Sequence, residues 1–579
     1  MSLSISFQER VRDLKCLLGK LLPRTVTRSR KSSEEACEEA SHSKYRRRTR
    51  PRLHQKYGST SLLELAVRAV AARVHNYDID ALPADLAQLV LDELVFTSSL
   101  TEDSLALFSK QHIYTLKLEE SCGVEDGWLR HLARSPLLHV SLASCSEVGD
   151  AAMVHLAHHW RLIKLDLSNC VLLTNDGLQH VKGLTNLREL NLGGCEGLSS
   201  LSALADLCKL TGLNLSGCGS ISGLRHLSGM LQLERLDLGW CSGITDADVK
   251  ALAALTAITG LELSRTLVAD SGIYALRSMK NLKCLGLAGC SGISNGAVGS
   301  VSALTSLEEL NLEWCSVGAK GLTHLSTLTN LRSLNVGYTA TGDSALAAWT
   351  LLTNLRLLNL DSCPVTDRGL QHIAELTQLE HINLSDTAIS DTGMPAMAPL
   401  KRLQSLSLCY TAGVGDAGLV TVAQLTTLTE LHLDGRSFTD AGLRTIAPLT
   451  HLKHLDLFGA RISDAGCVHL RPFRALERLE ICGGGVSDEG VKELMWLTGL
   501  RHLSLATNPR ITDRASLFLS GLSQLQDLNL TGTQLTGNGI LPLRALTNLE
   551  SLCLKRTRVK QSATDRLRPL LPRIHNLNC

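Results

Sequence analysis

The chain has 579 residues, of which 44% are apolar but only 3% aromatic, so its core must be aliphatic, and its length predicts several domains unless it grows by repetition. The net charge of +2 conceals an asymmetry: residues 1–60 hold 15 Lys and Arg against 6 Asp and Glu, and the remainder holds 43 against 50. The 18 cysteines follow no apolar leader, since Glu9 and Asp13 interrupt the first residues, which argues against a disulfide-stapled secreted protein and for reduced thiols in the cytosol or nucleus.

Residues 1–60 read as a basic flexible tail. Neither Ser29–Glu35 nor the run Lys44–Arg50 can bury a core. The run has the composition of a nuclear-import signal or a weak nucleic-acid patch, and equally of a solvated tail; a transit peptide has little support. From 61 to 112 the composition turns globular and predicts a helical segment. Pro83 suits a first helical turn, and Leu82, Leu86, Val90 and Leu94 follow at helical spacing. This stretch resembles the first half of an F-box, the motif that docks onto the Skp-type adaptor of cullin-RING ubiquitin ligases. The resemblance implies that Leu82, Pro83, Leu86, Val90 and Leu94 fill a groove on the adaptor. The second half departs from the family: the short stretch from Leu100 to Phe108 runs directly into the next element at Ile113. A helical cap over the first repeat explains the same residues.

From 113 to 579 one pattern recurs: LxxLxL, two residues, then Cys, Thr or Asn. It starts at 113, 137, 162, 187, 210, 233, 258, 282, 307, 331, 355, 379, 403, 428, 452, 476, 500, 525, 549 and 574, always 23–25 residues apart. The fourth and sixth positions alternate as a strand with one buried face requires. The second half opens on a Ser or Thr that suits a helix N-cap, as at Thr245, Thr366, Ser390, Thr439, Ser463, Ser487 and Thr512. The expected fold is α/β: a right-handed solenoid, or horseshoe, of about 20 coils, with a parallel sheet on the concave side and one short helix per coil on the convex side. The pattern resembles the cysteine-containing class of leucine-rich repeats, best known from F-box proteins.

Cys145, Cys170, Cys195, Cys218, Cys241, Cys290, Cys315 and Cys363 share the ninth repeat position with threonines and Asn508. All are small and can donate a hydrogen bond, which predicts a buried structural ladder capping the turn. Parallel neighbours about 4.8 Å apart miss disulfide geometry. Gly413–Gly418 matches GxGxxG yet aligns with the repeat's own turn, so no cofactor site is expected. His155, His158 and His159 fall in a predicted helix, with 155 and 159 on one face, but no third metal ligand is evident, and the spacing predicts an exposed or half-buried helix face. The uncharged run from Cys284 to Leu307 fits the repeat better than a membrane span. No catalytic set is recognisable, so the chain reads as a non-enzyme.

The expected function is binding of a protein target on the concave face. Strand alternation turns the third, fifth and seventh positions outward. The fifth forms a polar column, Asp166, Asn191, Asn214, Asp237, Glu262, Asn311, Asn335, Asn359 and Asn383, and the eighth holds Trp240, Trp314, Tyr338 and Tyr410. A solvated strand face, and packing of the aromatics against the next turn, explain the same residues. With the F-box resemblance, the implied role is target recognition in a cullin-RING ligase, in cytoplasm or nucleus. A scaffold or regulator unrelated to ubiquitin is the alternative. The acidic body argues against a nucleic-acid partner.

Overall fold

The computed structural model describes residues 62–120 and 123–578. The basic tail, with the import-signal reading of Lys44–Arg50, lies outside the described residues.

Among the described residues three α-helices precede the repeats: α1 (Leu62–Ala71), α2 (Ala84–Phe96) and α3 (Glu102–Ala106). Pro83, at φ −55°, stands at the N-cap of α2, where its missing N–H costs nothing. Thr101 and Ser104 close a capping box on α3, with Ser104 N–H on Thr101 Oγ1 at 3.2 Å and Thr101 N–H on Ser104 Oγ at 2.9 Å. The inward face of α2 carries Ala87, Val90, Leu91 and Leu94, all buried. Gln88 then covers the open edge of the first strand, Thr115–Lys117. Its Nε2 donates to Thr115 O at 2.7 Å, and its Oε1 accepts from the N–H groups of Tyr114 and Thr115, both at 3.1 Å. One amide side chain thus takes the place of a neighbouring strand at an edge that would otherwise present free backbone groups.

The repeats divide between two compact units, one ending at Asp237 and one beginning at Leu238. In the first, three-residue strands run from Thr115–Lys117 to Arg235–Asp237, each parallel to the next in chain order. In the second they run from Gly260–Glu262 to Asn576–Asn578 in the same order. Equivalent repeat positions pair, as with Leu310, Leu334 and Leu358. The leucines of the first, fourth and sixth positions are buried almost throughout, so each unit has one continuous aliphatic core. This is the leucine-rich-repeat solenoid expected from the spacing.

The expected helix per coil is only partly present. Most coils carry an α-helix of four to seven residues, such as Asp367–Ile373, several of them running on into a 3₁₀ turn. Ser202–Leu204, Leu224–Leu227 and Met394–Met397 are 3₁₀ turns alone. The first two lie in the 23-residue coils starting at 187 and 210, where fewer residues remain for a full α turn.

Side chains staple each coil to the next. The aspartate that opens one helix receives both the N–H and the hydroxyl of the Ser or Thr that opens the next. Asp343 takes Thr366 N–H at 2.9 Å and Oγ1 at 2.6 Å; Asp367 takes Ser390 N–H at 2.7 Å and Oγ at 2.6 Å. Asp464 binds Ser487 in the same way, and Asp513 binds Thr536. The hydroxyl also caps its own helix, as Thr366 Oγ1 does for Arg368 N–H at 3.3 Å. Thr245 differs, bonding to Asp248 within its own helix, and Thr512 donates to Asp488. The staple also explains the glycine two residues after the aspartate. A Cβ on Gly369 would lie 2.6 Å from Asp343 Oδ1 and 2.7 Å from Leu346 Cδ1. A second row comes from Asn281, Asn330, Asn354 and Asn548, whose amides donate to carbonyls of the preceding coil at 2.9–3.0 Å.

Candidate functional site: the open sheet face and its rim

The fifth-position column has a backbone task. Asn191 Oδ1 accepts the N–H of Gly193, two residues on, at 3.1 Å; Asn311, Asn335, Asn359 and Asn383 repeat the bond to their own seventh positions at 3.0–3.1 Å. Asp166, Asn214 and Glu262 do likewise for Ser168, Ser216 and Ser264 at 2.8–2.9 Å. These residues, with Asp237, are half-buried. The column therefore secures the chain where it leaves the strand, while its remaining polar atoms face outward.

The eighth position is left-handed. Ser144, Asn169, Gly194, Gly217 and Gly289 have φ between 57° and 74° there, and so do Trp240 (64°), Arg265 (61°), Trp314 (58°), Tyr338 (57°) and Tyr410 (55°). Glycine and asparagine suit this conformation, but an aromatic side chain meets a steric cost. The four rings are nevertheless exposed, at 65%, 52%, 39% and 65% for Trp240, Trp314, Tyr338 and Tyr410. Trp240, Trp314 and Tyr410 also each meet a side chain of the coil that follows. Trp314 and Tyr338 stack with centroids 4.0 Å apart and planes 9° from parallel. Arg265 lies over the Trp240 ring at 5.2 Å, and the Tyr410 hydroxyl donates to the Asp434 carboxylate.

Beneath the rim, the ninth-position ladder is buried, and its thiols reach across coils. Cys145 Sγ donates to Leu118 O at 2.9 Å, Cys170 to Leu142 O at 3.3 Å, Cys195 to Leu167 O at 3.2 Å and Cys218 to Leu192 O at 3.1 Å. Cys290, Cys315 and Cys363 do the same to Leu263, Leu287 and Val336, each at 3.1 Å; Cys241 is buried in the same column. Threonine mostly turns to its own coil: Thr266 Oγ1 donates to Leu263 O and Thr339 to Val336 O, both at 2.6 Å. The described cysteines are free thiols. Burial, reinforced by neighbouring thiols, pushes Cys170, Cys195 and Cys315 up to about 12.

In the F-box-like segment, Leu82, Val90 and Leu94 are buried within the cap, because the same aliphatic face that would meet an adaptor closes over the first coil. Pro83 is exposed and Leu86 half-buried, and Leu89 and Phe96 are the large apolar residues that α2 exposes. The histidines do not share a helix face: the helix is Asp150–Leu156, and His159 lies past its end, buried, with Nδ1 3.1 Å from Ser135 O. Burial lowers its pKa. Among the described residues no group of three His, Cys, Asp or Glu is arranged to hold a metal ion. In the GxGxxG-like turn, Gly415 and Gly418 N–H both donate to Asp391 Oδ1 at 2.8 Å. The groups that would cradle a phosphate are taken by the repeat's own staple. No described helix is long and apolar enough to cross a membrane.

The family described as Leucine Rich repeat matches residues 232–253, 303–326, 352–374, 376–398 and 449–470. No curated protein matches the sequence. Among solved structures, an internalin from Listeria monocytogenes is 21% identical over 63% of this chain and 93% of its own, with a TM-score of 0.45. A leucine-rich-repeat protein of Leptospira interrogans is 21% identical over 72% of this chain and 95% of its own, at 0.43. TLR13 in complex with ssRNA13 is 20% identical over 77% of this chain and 75% of its own, at 0.48. At these values the likeness does not extend to a partner.

Proposed function

We propose that the chain is a protein-binding module whose contact surface is the open sheet face and aromatic rim of the unit beginning at Leu238. One observation carries this reading: four large aromatics stand exposed on a left-handed backbone where the other described coils place glycine or a polar residue. Tryptophan and tyrosine are the residues most enriched among binding hot spots, and here they contribute little to the core. The test replaces Trp240, Trp314, Tyr338 and Tyr410 with alanine, with circular dichroism to verify the fold and affinity capture to read binding. Loss of captured proteins from a folded variant supports the reading; an unchanged set moves the surface to the helical side.

The finer reading is target recognition within a cullin-RING ligase. Its support is the Leu82-Pro83 start and the apolar residues Leu89 and Phe96 exposed on α2. Since Leu82 is buried, the informative variant is Leu89→Glu, which leaves the cap core intact. Copurification of a Skp-type adaptor and cullin with wild type, lost in this variant, is the expected outcome. Absence of both from wild type leaves a scaffold or regulator unrelated to ubiquitin.

A further inference from the structure

The sheet face of the eight coils starting at 307 to 476 carries two chemistries side by side. Its third, fifth, seventh and eighth positions hold eight carboxylates against one arginine, Arg478, and no lysine. Among the described residues these carboxylates form ion pairs only with histidines: Glu430 with His454 at 3.3 Å and Asp456 with His432 at 3.7 Å. Others bond to neutral donors. Glu313 accepts from Asn335 Nδ2 at 3.2 Å, and Asp386 from Ser362 Oγ at 3.0 Å. Crowding of like charge is felt within the group: burial first, and then the Asp456 charge, raise the pKa of both Asp434 and Glu480. Along one edge stand the exposed rings of Trp314, Tyr338 and Tyr410, and Phe458 is exposed on the face itself.

We propose that this face binds a lysine- or arginine-rich segment of a protein partner; the inference rests on the reading above that the face is a protein-binding surface. A guanidinium satisfies both chemistries at once, because it bonds to carboxylates through its edge and stacks on aromatic faces. The chain already makes such a contact where it has the cation, Arg265 over Trp240. Among the described residues no basic side chain lies over Trp314, Tyr338 or Tyr410, so an incoming one finds these rings free of a cation. An acidic segment or a nucleic-acid backbone meets like charge along the whole face. Seven strand steps span about 34 Å, the length of about ten extended residues.

The experiment uses the full chain and three labelled ligands followed by fluorescence anisotropy: the decapeptides (Arg-Ser)₅ and (Glu-Ser)₅, and a ten-nucleotide single-stranded RNA. The arginine peptide is expected to bind at least about tenfold more tightly than the other two, with affinity falling as salt rises. The variant Asp456→Asn/Glu480→Gln removes two charges, and asparagine keeps the acceptor for Phe458 N–H that Asp456 Oδ1 now provides at 2.9 Å. It and Trp314→Ala/Tyr338→Ala should each weaken binding about tenfold. Glu375→Gln/Asp565→Asn, on exposed residues of the helical side, should leave it unchanged. Equal binding by all variants, no binding of the arginine peptide, or preference for the acidic peptide or RNA overturns the proposal. If the aromatic variant still loses captured proteins while the peptide fails, the binding surface stands and only the basic partner falls.

Discussion

At single residues, the eighth and ninth positions of the repeat do opposite work. At the eighth, an aromatic side chain bears about 1 kcal/mol of left-handed strain that asparagine avoids. Trp240→Asn is therefore expected to leave the melting temperature unchanged or raised, despite loss of the Arg265 contact, while weakening partner capture. Differential scanning fluorimetry beside capture reads both. A core change such as Leu261→Ala should instead cost about 2–5 kcal/mol. At the ninth position, Cys195→Ser keeps a donor to Leu167 O and should be mild. Cys195→Leu both overpacks the turn and removes the donor, each on the order of 1–3 kcal/mol. The thiols also set an alkaline limit. Folding raises them from 9.0 to about 12 at Cys170, Cys195 and Cys315, so their contribution is complete below pH 9 and is lost as pH climbs toward 12. The melting temperature should fall across that window, less steeply in a Cys195→Ser/Cys315→Ser variant. At pH 8, mass-mapped alkylation of native protein should mark exposed Cys208 and leave these three silent until unfolding.

The coil itself was the most legible element. LxxLxL gives the strand, its buried face and its register, because leucine alternation and a 23–25-residue spacing are local facts of the sequence. The staple between coils was not legible. The Ser or Thr before Asp is fully explained as an N-cap, and its second partner lies 23 residues earlier, as with Ser390 and Asp367. The left-handed rim was hidden for a related reason: tryptophan and tyrosine are poor indicators of a conformation they disfavour. His159 was misread because the helix stops at Leu156. The staple makes its own predictions. At Asp367, desolvation raises the pKa, but hydrogen bonds from Ser390 and Thr392 together outweigh it and hold the carboxyl below its ordinary value. That stabilisation is present above about pH 4 and disappears as pH falls through the lowered value. Asp367→Ala should cost about 1–3 kcal/mol near neutrality and flatten the loss of stability in acid, as measured by urea unfolding at pH 7 and pH 3. Gly369→Ala, which drives a methyl against Asp343, should cost about as much.

For the molecule as a whole, coils add stability through their neighbours, so the first coil depends on what covers it. The Gln88 amide and the buried face of α2 supply that cover. A chain beginning at residue 113 should expose the edge of Thr115–Lys117 and self-associate, which sedimentation velocity detects. Gln88→Leu keeps the volume but leaves three backbone groups unsatisfied, and should lower stability by about 1–3 kcal/mol without removing the cap. Monomeric, equally stable protein lacking residues before 113 would remove the capping role.

The eighth position also has a consequence for how such a chain can change over time. Its backbone angle is nearly the same whether it holds Ser144, Asn169, Gly194, Arg265 or Trp314. The side chain points into solvent while the Cys and Thr ladder and the aspartate staples hold the coil from other positions. Substitutions there are decoupled from folding, within the roughly 1 kcal/mol of left-handed strain. Recognition can drift along the rim one coil at a time, and each new side chain is tried on a framework that does not have to be rebuilt.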